Sequence, residues 1–98
     1  MTERQRKQRE YALAISGGRC EVCGRPLGSH AQAAHRIGNT KMNREKYGAY
    51  VIDHRFNVGY TCSLACNAKL DISYNTGAVM ALCRRIYSDT AYKYEVQE

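Results

Sequence analysis

Four of the five cysteines fall in two tight pairs, and that spacing constrains the fold of this chain more than any other feature. Cys20 and Cys23 enclose two residues and are followed by Gly24, whereas Cys62 and Cys66 enclose three. A pair this close can place two thiolates on one ion, and two such pairs complete the tetrahedral sulfur set that Zn²⁺ favours. The first pair reads as a knuckle whose chain turns sharply at Gly24. The second reads as a strand end running into the first turn of a helix, whose dipole favours thiolate charge. The fifth cysteine, Cys83, sits on the apolar stripe of a late helix and is expected in the core. An odd cysteine count, together with an N-terminal run MTERQRKQRE that has no apolar stretch behind its charges, makes a secreted disulfide framework the poorer reading. A cytoplasmic protein is the expectation.

With 98 residues the chain has room for one domain, and a doubly wound cofactor fold with a separate substrate domain is excluded. A core this small is marginal by itself, so a metal staple has an obvious use. No apolar run approaches the roughly 18 residues needed to span a bilayer, and no membrane association is expected. The chain carries a formal charge of +6 and a pI near 9.2. That balance favours polyanionic partners, nucleic acid first among them.

The chain divides into a basic N-terminal helix at 1–17, a zinc-stapled core at 18–70 and a C-terminal helix at 77–90. Thr2 and Gln5 form a capping-box start, Tyr11, Ala12 and Ile15 give a short apolar face, and Gly17-Gly18 ends the first helix. Its four basic residues, Arg4, Arg6, Lys7 and Arg9, suit a solvated face or an arm that touches phosphates. Strands are expected at 31–37, 49–53 and 57–61, separated by a polar basic loop at 38–48. A helix starts near 63 and carries Cys66 and Asn67. Val79, Leu82, Cys83 and Ile86 follow helical spacing in a last helix at about 78–88, and the tail after Thr90 reads as loose. The fold class is therefore a small α+β zinc domain: knuckle, hairpin and a helix that donates the last ligands, which is the treble-clef arrangement, with a helix on either side.

Inside the zinc brackets lie His35, His54 and Asn57, and Asn67 follows the last cysteine directly. Taken in order, Cys20-x2-Cys23, then Ala34-His35-Arg36-Ile37, then Asn57 ahead of Cys62-x3-Cys66-Asn67, the pattern resembles the zinc-containing HNH endonucleases of phages and bacteria, whose core is a ββα-metal motif on a treble clef. The resemblance covers about residues 19–70. It implies a metal-dependent endonuclease that hydrolyses DNA phosphodiester bonds, with double-stranded DNA as partner. His35 would be the general base, suited by an imidazole pKa near neutrality. Asn57 would orient that imidazole or pin the loop through backbone hydrogen bonds. Asn67 would stand where the family has its final His and hold a divalent ion, Mg²⁺ or Mn²⁺, which suits a hard amide oxygen.

Two positions depart from the family: Asn67 stands in place of the final His, and Ala34 replaces the Asp or His that precedes the base as a second ion ligand. His54 or Asp53, on the expected second strand, could supply that ligand, with His54 favoured because Asp53 shares its strand face with Val51. Alternatively His35 is the ligand and His54 the base. His30 reads as an exposed turn residue. Around this centre Arg36, Lys41, Arg44, Lys46, Arg55 and Lys69 face only two acids between residues 30 and 70, Glu45 and Asp53, as a phosphate-tracking surface would. The alternative function is a non-catalytic zinc-stabilised module that binds nucleic acid. A protein–protein adaptor on the same scaffold is the third.

Overall fold

The computed structural model describes residues 1–95. Helix α1, Glu3–Ser16, opens on the expected capping box: Thr2 Oγ1 accepts the Gln5 N–H at 3.1 Å and Gln5 Oε1 accepts the Thr2 N–H at 3.1 Å. Gly17 ends it at φ 62°, where a side chain would be strained. Its buried face differs from the apolar one read from the sequence. Gln8 and Ala12 point inward, whereas Ile15 is 68% exposed.

The sheet has two strands. β1, Gln32–His35, pairs antiparallel with β2, Val58–Thr61, so that Ala34 lies opposite Gly59 and His35 opposite Val58. Helix α4, Leu64–Leu70, follows β2 directly and is capped by Ser63, whose hydroxyl accepts the Cys66 N–H at 3.3 Å. α4 packs closely on the strands at Gly59. A Cβ at Gly59 would run into the Glu21 carboxylate and come within 3.2 Å of Leu70.

The segment between the strands corrects two expectations. Residues 41–47 are helix α2, Lys41–Tyr47, started by Thr40, whose hydroxyl accepts the Asn43 N–H at 3.1 Å. The sequence KMNREKY has helix formers and no β-branched residue, so the glycines at 38 and 48 bound a helix rather than a loop. Gly48, at φ 88°, breaks it from α3, Ala49–Ile52, which occupies the place of the expected middle strand. In a strand, Val51 and Ile52 would face opposite ways. Here both are buried, and the Ile52 carbonyl meets side-chain amides instead of a ladder. A single 3-10 turn, Arg55–Asn57, then leads into β2.

Helix α5, Thr76–Tyr87, carries the anticipated stripe. Val79, Leu82 and Ile86 join Ile37, Val51 and Ile52 in the core, with Cys83 packed against them. The part of the expected loose tail that is described, up to residue 95, is helical, and residues 96–98 lie outside the described residues. Helix α6, Thr90–Glu95, buries Tyr92, whose hydroxyl lies 3.1 Å from the Arg4 carbonyl and 3.3 Å from that of Asp53. One turn earlier, Asp89 accepts two 2.7 Å hydrogen bonds from Arg55. A large ring and two charge-assisted bonds outweigh the weak helix propensity of this segment. No described helix is long and apolar enough to cross a membrane.

This docking has a measurable size. Tyr92→Phe should cost about 1 kcal/mol for the hydroxyl contacts and Tyr92→Ala about 3–5 kcal/mol for the ring, read as the shift in urea unfolding. An unfolding midpoint unchanged in Tyr92→Ala would mean that α6 does not hold the fold.

Candidate metal centre

The cysteine knuckle is built by local hydrogen bonds. Cys20 N–H donates to the Arg25 carbonyl at 2.7 Å, Gly24 N–H donates to that of Cys20 at 2.9 Å, and Gly24 takes φ 78°. The knuckle is tied to the free edge of β2 by Glu21 N–H donating to the Tyr60 carbonyl at 3.0 Å. That edge bond brings Cys20 and Cys23 to Cys62, which directly follows β2, and to Cys66, one turn into α4. The four Sγ atoms lie within 4.8 Å of one another, with Cys23–Cys62 at 3.5 Å and Cys62–Cys66 at 3.8 Å. Tetrahedral zinc with bonds of about 2.3 Å spaces its sulfurs by about 3.8 Å. A disulfide would need about 2.05 Å. The cluster therefore fits a structural zinc ion, held by all four cysteines.

The electrostatics of the sulfurs fit a cation too. Burial works against the Cys20 thiolate, but backbone N–H groups of Cys23, Cys62 and Val22 outweigh it and lower the pKa to about 6. At Cys62 the neighbouring sulfur of Cys23, and then burial, push the thiol up to about 11. Four thiolates crowd each other in this way unless a divalent cation sits among them. A zinc tetrathiolate would carry a charge of about −2. A recess of about 580 Å³ beside the sulfurs is lined by Arg25, His30 and Lys69 and by no carboxylate, which offsets that charge. His30 is exposed, as the turn at 28–30 implies.

The other site residues take separate places. Asn57 is buried and clasps backbone: its Oδ1 accepts the Ile37 N–H at 2.9 Å, and its Nδ2 donates to the carbonyls of Ile37 at 3.1 Å and Ile52 at 3.0 Å. Of the two roles open to it, this geometry is the loop pin. Asn67 is half-buried on α4 and donates from Nδ2 to Gln32 Oε1 at 3.0 Å. Gln32 and Ala34 share one face of β1, and His35 takes the other by strand alternation. The face that meets Asn67 thus carries Ala34 and no imidazole.

His35 is half-buried on the opposite face. Burial lowers its pKa first and the Arg9 guanidinium next, Asp53 pulls it up, and Arg44 lowers it again. Asp53 itself, which the sequence places on a strand, caps α3 and is held by Arg44 through hydrogen bonds of 3.0 and 2.8 Å, with Gln5 Nε2 at 3.4 Å. Burial raises the Asp53 pKa, but the Arg44 bonds outweigh it and keep the carboxyl ionised. No sequence motif signals this grouping, because Gln5, Arg44 and Asp53 come from three helices.

His54 lies in an aromatic box of Tyr50, Phe56 and Tyr92, fully buried. Its Nδ1 accepts the Phe56 N–H at 3.0 Å, so the ring proton belongs on Nε2, which faces Asp89 Oδ2 at 3.2 Å. Nδ1 is thus taken by backbone, and Nε2 is buried beside Asp89 without a hydrogen bond to it, so the ring offers an ion no position open to solvent. Among the described residues the cysteine group is the one cluster of three or more His, Cys, Asp or Glu that could hold a metal. His35, His54 and Asn67 do not form a second.

Two outcomes follow from this geometry. The purified protein should carry one zinc per chain by elemental analysis, and strong chelation or Cys62→Ser should abolish its cooperative unfolding. A metal-free protein that unfolds as sharply would contradict the centre. For His54, burial lowers the pKa to about 4; Asp89 opposes this, and Arg55 and Arg85 add to it. The unfolded chain then binds a proton below about pH 6.5 that the folded one refuses, so stability rises with pH through that window. Up to about 3 kcal/mol should be lost between about pH 6.5 and pH 4. The loss from this residue should vanish in His54→Phe, which isolates it from acid release of zinc.

No family model, no curated protein and no solved structure matches this chain. What its own residues establish is a small α+β protein with a four-cysteine site able to hold a metal ion.

Proposed function

We propose that this protein is a nucleic-acid-binding module built on an HNH-type treble clef and stapled by zinc. The observation that carries this reading is the placement of charge. Most carboxylates of the described chain are taken by particular arginines: Glu3 and Glu10 by Arg6, Glu21 by Arg36, Asp53 by Arg44 and Asp89 by Arg55. Arg9, Lys41, Lys46, Arg84 and Arg85 have no carboxylate partner among the described residues, and Arg25 and Lys69 flank the sulfurs. Cations left unpaired over a rigid scaffold are the electrostatic footprint of a phosphate-binding surface. The order β1, β2, α4 with the cysteine pairs around it supports the HNH-type scaffold. Ala34, on the face that meets Asn67, supports binding over hydrolysis, since the position before His35 offers a divalent ion no ligand and the Glu21 carboxylate beside Gly59 on that face is taken by Arg36.

One observation favours a second reading, phosphodiester hydrolysis with His35 as general base. Its imidazole is half-open, held towards its neutral form, and set among Arg9, Arg44 and Asp53. A neutral imidazole can take a proton from water, and guanidiniums can hold the phosphoryl oxygens.

Labelled DNA followed by anisotropy, with a plasmid assay in Mg²⁺ or Mn²⁺, separates the two. Binding should weaken about 100-fold between 50 and 200 mM salt if about four phosphates are contacted. On the first reading His35→Ala binds as well as wild type and the plasmid stays intact under both. Nicking by wild type that His35→Ala loses would establish the second. No retention of DNA or RNA at 50 mM salt would remove both.

A further inference from the structure

The surface between α1 and α5 combines rings and guanidiniums in a way that neither the zinc centre nor the His35 cluster uses. Phe56 is half-buried, and the Arg85 guanidinium lies 4.9 Å from its ring centroid. The Arg55 guanidinium lies 5.7 Å from the same centroid and 4.9 Å from that of Tyr11, whose ring is 5.7 Å from Phe56. Two recesses flank this stack. One, of about 450 Å³, is lined by Phe56, Arg84, Arg85, Ser88 and Asp89. The other, of about 190 Å³, shares Phe56 and Arg85 and reaches Tyr11, Ile15 and Arg36. The Arg85–Phe56 pair thus borders both.

The charge of this surface is positive in spite of its two acids. Asp89 is held by Arg55 through a pair of 2.7 Å bonds, and Glu21 is held by Arg36. Arg84 and Arg85 are exposed and pair with no carboxylate among the described residues. We propose that this surface, the Arg85–Phe56 stack with its flanking recesses, binds the unpaired bases of a single-stranded nucleic acid. The inference rests on the nucleic-acid reading above and deepens it by naming the surface and the strand state. The chemistry is specific to that occupant. A base stacks on an aromatic face or a guanidinium plane only when it is free of its partner strand, and the adjacent phosphates pair with the remaining arginine. A duplex offers its phosphates but keeps its bases stacked inside, so it uses half of what this surface provides.

The test uses zinc-loaded full-length protein with labelled dT20, rU20 and a DNA hairpin duplex of matched charge, by anisotropy at 50 mM salt. Both single strands should bind more tightly than the duplex, and the dT20 and rU20 arms decide between DNA and RNA. Arg84→Gln/Arg85→Gln should weaken single-strand binding about 10-fold or more, and Phe56→Leu by a similar factor. The two arginines are exposed, so the double variant keeps the fold even if Phe56→Leu does not. Backbone amide shifts on adding dT20 should centre on Phe56, Arg85 and Ser88. Single strands that bind the variants as tightly as wild type, or a duplex that binds as well as a strand, would overturn this inference and leave nucleic-acid binding standing. No binding of any of the three would remove the broader reading with it.

Discussion

One backbone carbonyl organises this molecule. The oxygen of Ile52 accepts a hydrogen bond from Gln8 on α1 at 2.9 Å and another from Asn57 at 3.0 Å. Gln8 also reaches the His54 carbonyl at 2.9 Å, and Asn57 holds both backbone groups of Ile37 just past β1. Three stretches distant in sequence are thereby fixed to one another inside the protein, where every unmet polar group would cost about 1–3 kcal/mol. The clasp sets the path of residues 52–57, and that path decides which side chains meet. It turns His54 into the aromatic box, presents Asp53 to Arg44, and delivers the chain into β2 in register with β1.

The cysteine cluster does for one end of the molecule what the clasp does for the other. A two-stranded sheet of four-residue strands has little to hold a helix with, and the core of Ile37, Val51, Ile52, Val79, Leu82 and Ile86 lies towards α5. A metal ion shared between the knuckle and α4 would supply the cohesion that so short a sheet does not. The surrounding charge agrees, since Arg25 and Lys69 face a centre that would be net negative when loaded.

The sheet also separates two chemistries. Towards α4 lie Ala34, Gly59 and the Asn67–Gln32 amide pair, a closely packed face where the Glu21 carboxylate beside Gly59 is held by Arg36. Towards α1 lies His35 with charged groups from three helices. In a strand, neighbours point to opposite sides, so an imidazole and its predecessor cannot serve the same face without a local distortion. Much of the positive charge of the chain, meanwhile, is left after most of the described acids have been bound by particular arginines.

Much of the plan was legible in the sequence because it is local. Cysteine spacing implied a four-sulfur cluster, Thr2 and Gln5 implied a capped helix, and the spacing of Val79, Leu82 and Ile86 implied the stripe of α5. Each follows from covalent geometry and a repeat of a few residues. The expected strand at 49–53 is instead the helix Ala49–Ile52 because β-branched residues favour a strand only where a partner strand stands beside them, and here side-chain amides take that place. The helix at Thr90–Glu95 stays hidden in the sequence because Tyr92 and the preceding Asp89 find their partners, Arg4, Asp53 and Arg55, far along the chain. The same distance hid the surroundings of His35 and the confinement of His54. The sequence by itself determined which residues could gather a metal and where helices begin. Only tertiary structure decided which face each histidine would see, because that depends on contacts between segments that sequence spacing does not encode.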